Sequence, residues 1–143
     1  MKRAIALMTF AIVFVLGIVP YARDDDDDTR QCSNATLRGS FGYTGTGSIV
    51  NGASVLPIAF VGRITFDGLG LAKFVQTISN NGVIFPAGSP VTTTYVVHAD
   101  CTGSISAGNG YLVVDANGKE FRNILQVAGR VITIIGRNIS TRD

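Results

Sequence analysis

The stretch LPIAFVGRITFDGLGLAKFVQTIS, residues 56–79, holds two apolar runs hinged on a short glycine-bearing turn. In the first run Ile58, Phe60, Gly62, Ile64 and Phe66 share one face, and Ala59, Val61, Arg63 and Thr65 share the other. That period of two belongs to a half-buried β-strand. Asp67, Gly68, Leu69 and Gly70 make the turn, and Leu71 to Ser79 returns with Phe74 and Ile78 on one face. Two such runs across a tight glycine turn are the signature of a hairpin.

The same cadence extends outward over Ala35 to Asn138. Glycine-centred turns recur at 80–82, 100–103, 108–110, 117–118 and 128–129. Between them lie strand runs at Leu37–Gly45, Val91–His98, Thr102–Ala107, Tyr111–Asp115, Lys119–Val127 and Arg130–Asn138. Turns this close leave no room for a helix of ordinary length, so the expected fold is all-β. It is a single antiparallel meander of about eight strands closing into a small barrel. Gly45 to Ala53, rich in Gly and Ser, reads as the first long loop. Val83, Ile84 and Phe85 lie in the least regular segment, where they cap the barrel mouth, pack under it or form a short strand. Val131, Ile132, Ile134 and Ile135 make the last strand apolar on both faces. Its outer face is expected to be covered, by a second copy through residues 130–138 or by the chain's own loop or N-terminal segment.

With 143 residues, one domain is expected. A hydrophobic content of 46% against 15% charged excludes a disordered chain. Residues 1–22 read as a signal peptide: Lys2 and Arg3 form its basic head, and Ala4 to Val19 an uncharged apolar helix. Pro20 fits a small-x-small cleavage site poorly, which leaves an uncleaved anchor as the alternative. Residues 23–31 form an acidic, disordered leader containing Asp24 to Asp28, and residues 32–143 form the barrel domain. The five adjacent aspartates lack the spacing of a calcium loop. Without Lys2 and Arg3 the charges balance, and residues 29–143 carry nine basic against five acidic side chains, +4. The arginines are scattered singly, so no nucleic-acid footprint is present. No membrane partner is expected once the signal is cleaved. The expected location is exported, periplasmic or extracellular, where Cys32 and Cys101 most simply form one disulfide. No second His or Cys stands near either one for a metal site.

Polar constellations that carry chemistry are sparse. His98 and Asp100 straddle a turn with no nucleophile placed beside them. Glu120 shares a strand face with Arg122 and Gln126 and reads as an exposed ion pair. Asn34 and Asn138 begin glycosylation sequons. No catalytic residue, metal ligand or cofactor is assigned. The candidate ligand-binding residues are aromatic: Phe41, Tyr43, Phe60, Tyr95 and Tyr111, which either line an apolar cavity or fill a packed core.

Three stretches carry a resemblance: CSNATLRGSFGY at 32–43, GRITFDGLG at 62–70 and YVVHADCTGS at 95–104. Together they resemble a family of small secreted bacterial β-barrel proteins without assigned activity. In shape that family is similar to calycin-type barrels such as lipocalins and allene oxide cyclase. The resemblance implies a calycin-like barrel and the Cys32–Cys101 disulfide. It transfers no catalytic residue, since the chain has no tryptophan for the lipocalin Gly-x-Trp signature and matches no cyclase set. The expected function is an exported, non-enzymatic barrel binding a small apolar or amphipathic ligand. The alternatives are a self-associating structural or surface-interaction module and, last, a cyclase- or isomerase-like enzyme.

Overall fold

The computed structural model describes residues 31–139; the signal-peptide reading and all but the last residue of the acidic leader lie outside them. Nine strands follow in order: β1 (Arg38–Asn51), β2 (Ser54–Asp67), β3 (Leu71–Asn80), β4 (Val83–Phe85), β5 (Val91–Val97), β6 (Thr102–Ile105), β7 (Gly110–Val114), β8 (Glu120–Leu125) and β9 (Arg130–Asn138). Neighbours in the chain pair antiparallel except β4 and β5, which both pair with β3, and β9 returns to β1 with Tyr43 opposite Gly136. Eight strands thereby close a barrel, with β3 handing over from β5 to the short hairpin partner β4 along one edge. Among the described residues only two single-turn 3-10 segments, Asn34–Thr36 and Ala107–Asn109, interrupt the strands. No helix among them is long and apolar enough to cross a membrane.

The central hairpin forms as its alternation requires. Asp67 opposes Arg38 on one side, and Phe66 opposes Ala72 on the other. The Asp67 Oδ1 accepts the backbone N–H groups of Leu69, Gly70 and Leu71 at 2.7, 2.9 and 3.0 Å. Those bonds, led by Leu69 and Leu71, hold the carboxyl below its ordinary value.

Gly45 to Ala53 is not a loop. β1 and β2 are both 14-residue strands joined by the tight turn at Gly52 and Ala53. The glycines that read as loop-forming stand instead at close approaches. A Cβ on Gly45 would run into the Phe60 ring, and one on Gly47 into the Val131 carbonyl of the neighbouring strand. Val83, Ile84 and Phe85 form a short strand whose side chains are all exposed.

The barrel is solid at one end. Leu37, Phe41, Phe66, Tyr95 and Leu112 are almost wholly buried there. Phe66 is the hub, with edge-to-face partners Phe41, Tyr95 and Phe121 at 5.4, 4.8 and 5.6 Å. Such pairs add about 0.5–1.5 kcal/mol each beyond burial. The segment 32–37 closes this end like a plug. The Tyr95 hydroxyl receives the Gly68 N–H at 3.0 Å and lies 3.0 Å from the Asn34 and Leu37 carbonyls. The Asn34 side chain spans from the Leu69 carbonyl to the Val97 N–H. Cys32 and Cys101 form the disulfide, Cα–Cα 4.9 Å, which is compatible with an oxidising compartment.

Candidate functional site

At the other end the barrel is hollow. A cavity of about 200 Å³ opens at the mouth formed by the β1–β2 and β3–β4 hairpins and the turns before β7 and β9. Its position follows from the inner-face alternation of six strands, β6 contributing Ile105. Ile58, Phe60 and Ile64 come from β2, Phe74, Gln76 and Ile78 from β3, and Phe121, Asn123 and Leu125 from β8. Arg130, Ile132 and Ile134 come from β9, and Tyr43 from β1. Buried Phe121, Ile64 and Ile105 make the floor, where the cavity meets the solid half. A wider, shallower depression runs outside along Val91–Thr94 and Ser106–Ala107, and there Thr94 and Ser106 bond each other at 2.6 Å.

Four polar side chains line the cavity. The Tyr43 hydroxyl donates to Gln76 Oε1 at 2.9 Å. Burial pushes the Tyr43 phenol well above its ordinary value, so it stays a neutral donor at any physiological pH. Asn123 is 7% exposed, and its Oδ1 is buried with no hydrogen-bond partner among the described residues. A buried carboxamide oxygen left unpaired costs about 1–3 kcal/mol. Asn123→Leu is therefore expected to raise the free energy of unfolding by about 1–2 kcal/mol, measured by urea denaturation. A loss of stability would mean that the carboxamide is satisfied in solution. Arg130 stands at the lip, exposed, on the inner-face alternation of β9 with Ile132 and Ile134.

The five aromatic candidates separate by depth and face. Tyr43 and Phe60 line the cavity with their rings 6.2 Å apart. Phe41 and Tyr95 point inward but lie in the solid half, below the floor. Tyr111 is 44% exposed on the outer wall, because Gly110 and Leu112 take the inward positions of β7. Gln76, Asn123 and Arg130 were not among the candidates. Their signal is a polar residue standing in phase with apolar ones: Asn123 between Phe121 and Leu125, Arg130 before Ile132 and Ile134.

The polar features outside the cavity are structural. Asp100 Oδ1 accepts the Thr102 hydroxyl at 2.7 Å and its N–H at 3.0 Å, and those bonds hold the carboxyl below its ordinary value. His98 is exposed. Glu120 bridges Arg137 on β9 and Arg122 on its own strand, each at 3.0 Å, and both guanidinium groups lower its carboxyl. Among the described residues no group of three His, Cys, Asp or Glu side chains gathers to hold a metal ion. Comparison with protein-family models, with curated proteins and with solved structures finds no match to this chain.

Proposed function

We propose that this chain is an exported, non-enzymatic barrel of the secreted bacterial kind it resembles, and that it binds one small, mainly apolar ligand in the open half. The observation that carries this reading is the cavity of about 200 Å³, walled by Ile, Phe and Leu side chains and crossed by a few oriented polar groups. A dry cavity of about 150 Å³ suffices for benzene, whereas drug-sized ligands occupy roughly 300–1,000 Å³. The ligand is thus a single ring or a short chain. The lining includes no carboxylate, histidine, lysine, serine or thiol, so it offers shape and hydrogen bonds rather than a group poised for proton transfer at neutral pH. Export rests on the basic head and apolar run of residues 1–22 together with the disulfide.

Titration with 1-octanol, followed by calorimetry, tests the reading. Saturable binding at one site is expected, with a negative heat-capacity change from burial of apolar surface. Heats indistinguishable from dilution would overturn it.

A second reading, self-association through residues 130–138, is favoured by one observation. Val131, Ile135 and Val61 are 62%, 47% and 58% exposed on the outer wall. Ile135 and Val61 both face Thr44, so the three strands present a continuous uncharged strip.

A further inference from the structure

The charges of the barrel are distributed unevenly along its axis. The open half and the loops at its mouth comprise residues 43–62, 74–94, 105–111 and 123–136, and Arg130 is the one charged residue in all of them. Every carboxylate among the described residues, Asp67, Asp100, Asp115 and Glu120, sits in a turn or at a strand terminus at the solid end. Arg130 forms no ion pair among the described residues. The glutamate of its own sheet neighbourhood, Glu120, is already held by Arg122 and Arg137.

An isolated guanidinium on the lip of an apolar cavity has a definite chemical meaning. Low-dielectric walls focus its field into the mouth, and no carboxylate among the described residues pairs with it. Deeper in the same cavity the wall is apolar down to Asn123, which pairs in register with Ile134 four residues below Arg130. At the rise of a strand that is roughly 13 Å along β9, or about 10 Å of depth given the tilt of barrel strands. A neutral apolar ligand would leave the lip charge unused. A carboxylate head on an apolar body would place its oxygens at the guanidinium, which binds them in a two-pronged hydrogen-bonded pair, while its tail fills the hollow.

From this placement we infer that the ligand is a small amphiphilic carboxylate, head at Arg130 and apolar body toward Phe121. The inference rests on the cavity reading proposed above and goes further, because it names the charge of the ligand and the residue that selects it.

Octanoate and 1-octanol share an apolar body and differ in the head, so their affinities separate the two readings. Wild-type protein is expected to bind octanoate at least about tenfold more tightly than octanol at low salt. That preference should shrink as sodium chloride rises from 0.05 to 0.5 M, since exposed charges are screened over a shorter length. Arg130→Gln is expected to erase the preference by bringing octanoate affinity down to that of octanol, and Arg130→Lys to retain part of it. Arg63→Gln, on the outer wall of β2, is expected to keep it. Thermal melts of each variant control for folding, which an exposed lip residue does not govern. Equal wild-type affinity for the two probes would overturn the carboxylate inference and leave the cavity reading standing. Binding of neither would overturn both. An equal loss in Arg63→Gln and Arg130→Gln would show a general charge effect and overturn the assignment to Arg130.

Discussion

Replacing Cys32 and Cys101 together by serine is expected to remove about 4 kcal/mol of stability and lower the melting temperature by roughly 15–20 °C. The bond joins residues 69 apart in sequence, and a loop of that length carries a closure entropy of about 4 kcal/mol in the chain-entropy account. The position makes the loss a loss of one end of the barrel. Cys32 is 5% exposed and its N–H donates to the Ala99 carbonyl at 3.1 Å, so the bridge fixes the start of the plug to the β5–β6 turn. Without it, segment 32–37 is held by Leu37, the Asn34 side chain, the Tyr95 hydroxyl and the backbone bond from residue 32 to the Ala99 carbonyl. Thermal unfolding followed by circular dichroism, with wild type measured in and out of reductant, checks the value. A melting temperature within a few degrees of wild type would show that those non-covalent anchors suffice. The cavity lies at the opposite end, so octanol affinity measured well below the transition is expected to be unchanged.

That separation of a tied, solid end from an open end explains which parts of the molecule were legible beforehand. The face of each side chain could be read from alternation, because a strand places successive residues on opposite sides whatever surrounds it. Ile58, Phe60, Ile64 and Phe66 all face inward as their spacing requires. Depth along the barrel axis could not be read this way. Phe41 and Tyr43 are neighbours on one inner face, yet Phe41 is sealed in the solid half while Tyr43 lines the cavity. What separates them is the stagger of the strands and the plug at one end, and both are set by long-range pairing rather than by any local run. Tyr111 was misplaced for a smaller reason. β7 is only five residues long, and its inward phase is set by Gly110, which lies against the Asn123 carboxamide. The Gly and Ser content of 45–53 was misleading because glycine serves two purposes. It permits turns, and it also lets a ring or a neighbouring backbone come close, which is its use at Gly45 and Gly47.

Because face is legible and depth is not, adjacent residues of β9 provide the sharpest test of where a ligand sits. Ile134 lines the cavity, partly buried, and Ile135 is 47% exposed on the outer wall. Ile134→Trp places an indole inside a space of about 200 Å³ and is expected to weaken octanol and octanoate binding by at least about a hundredfold. The cost in stability should be small, because the new ring enters space that already exists rather than a packed core; overpacking a filled site costs about 1–3 kcal/mol. The chain has no other tryptophan, so the indole reports its own surroundings. A blue-shifted emission would show that it occupies the hollow, and a water-like emission that it has turned out. Ile135→Trp adds the same ring one residue away and is expected to leave both affinities within about twofold of wild type. Its emission should be water-like if the outer strip is bare and blue-shifted if a second copy covers it, with sedimentation velocity at high concentration deciding whether copies associate. Retained affinity in Ile134→Trp with a buried indole would place the ligand elsewhere and defeat the cavity reading. Loss of affinity in Ile135→Trp alone would move the site to the outer face of β9, where the exposed Val131 and Ile135 already stand uncovered among the described residues.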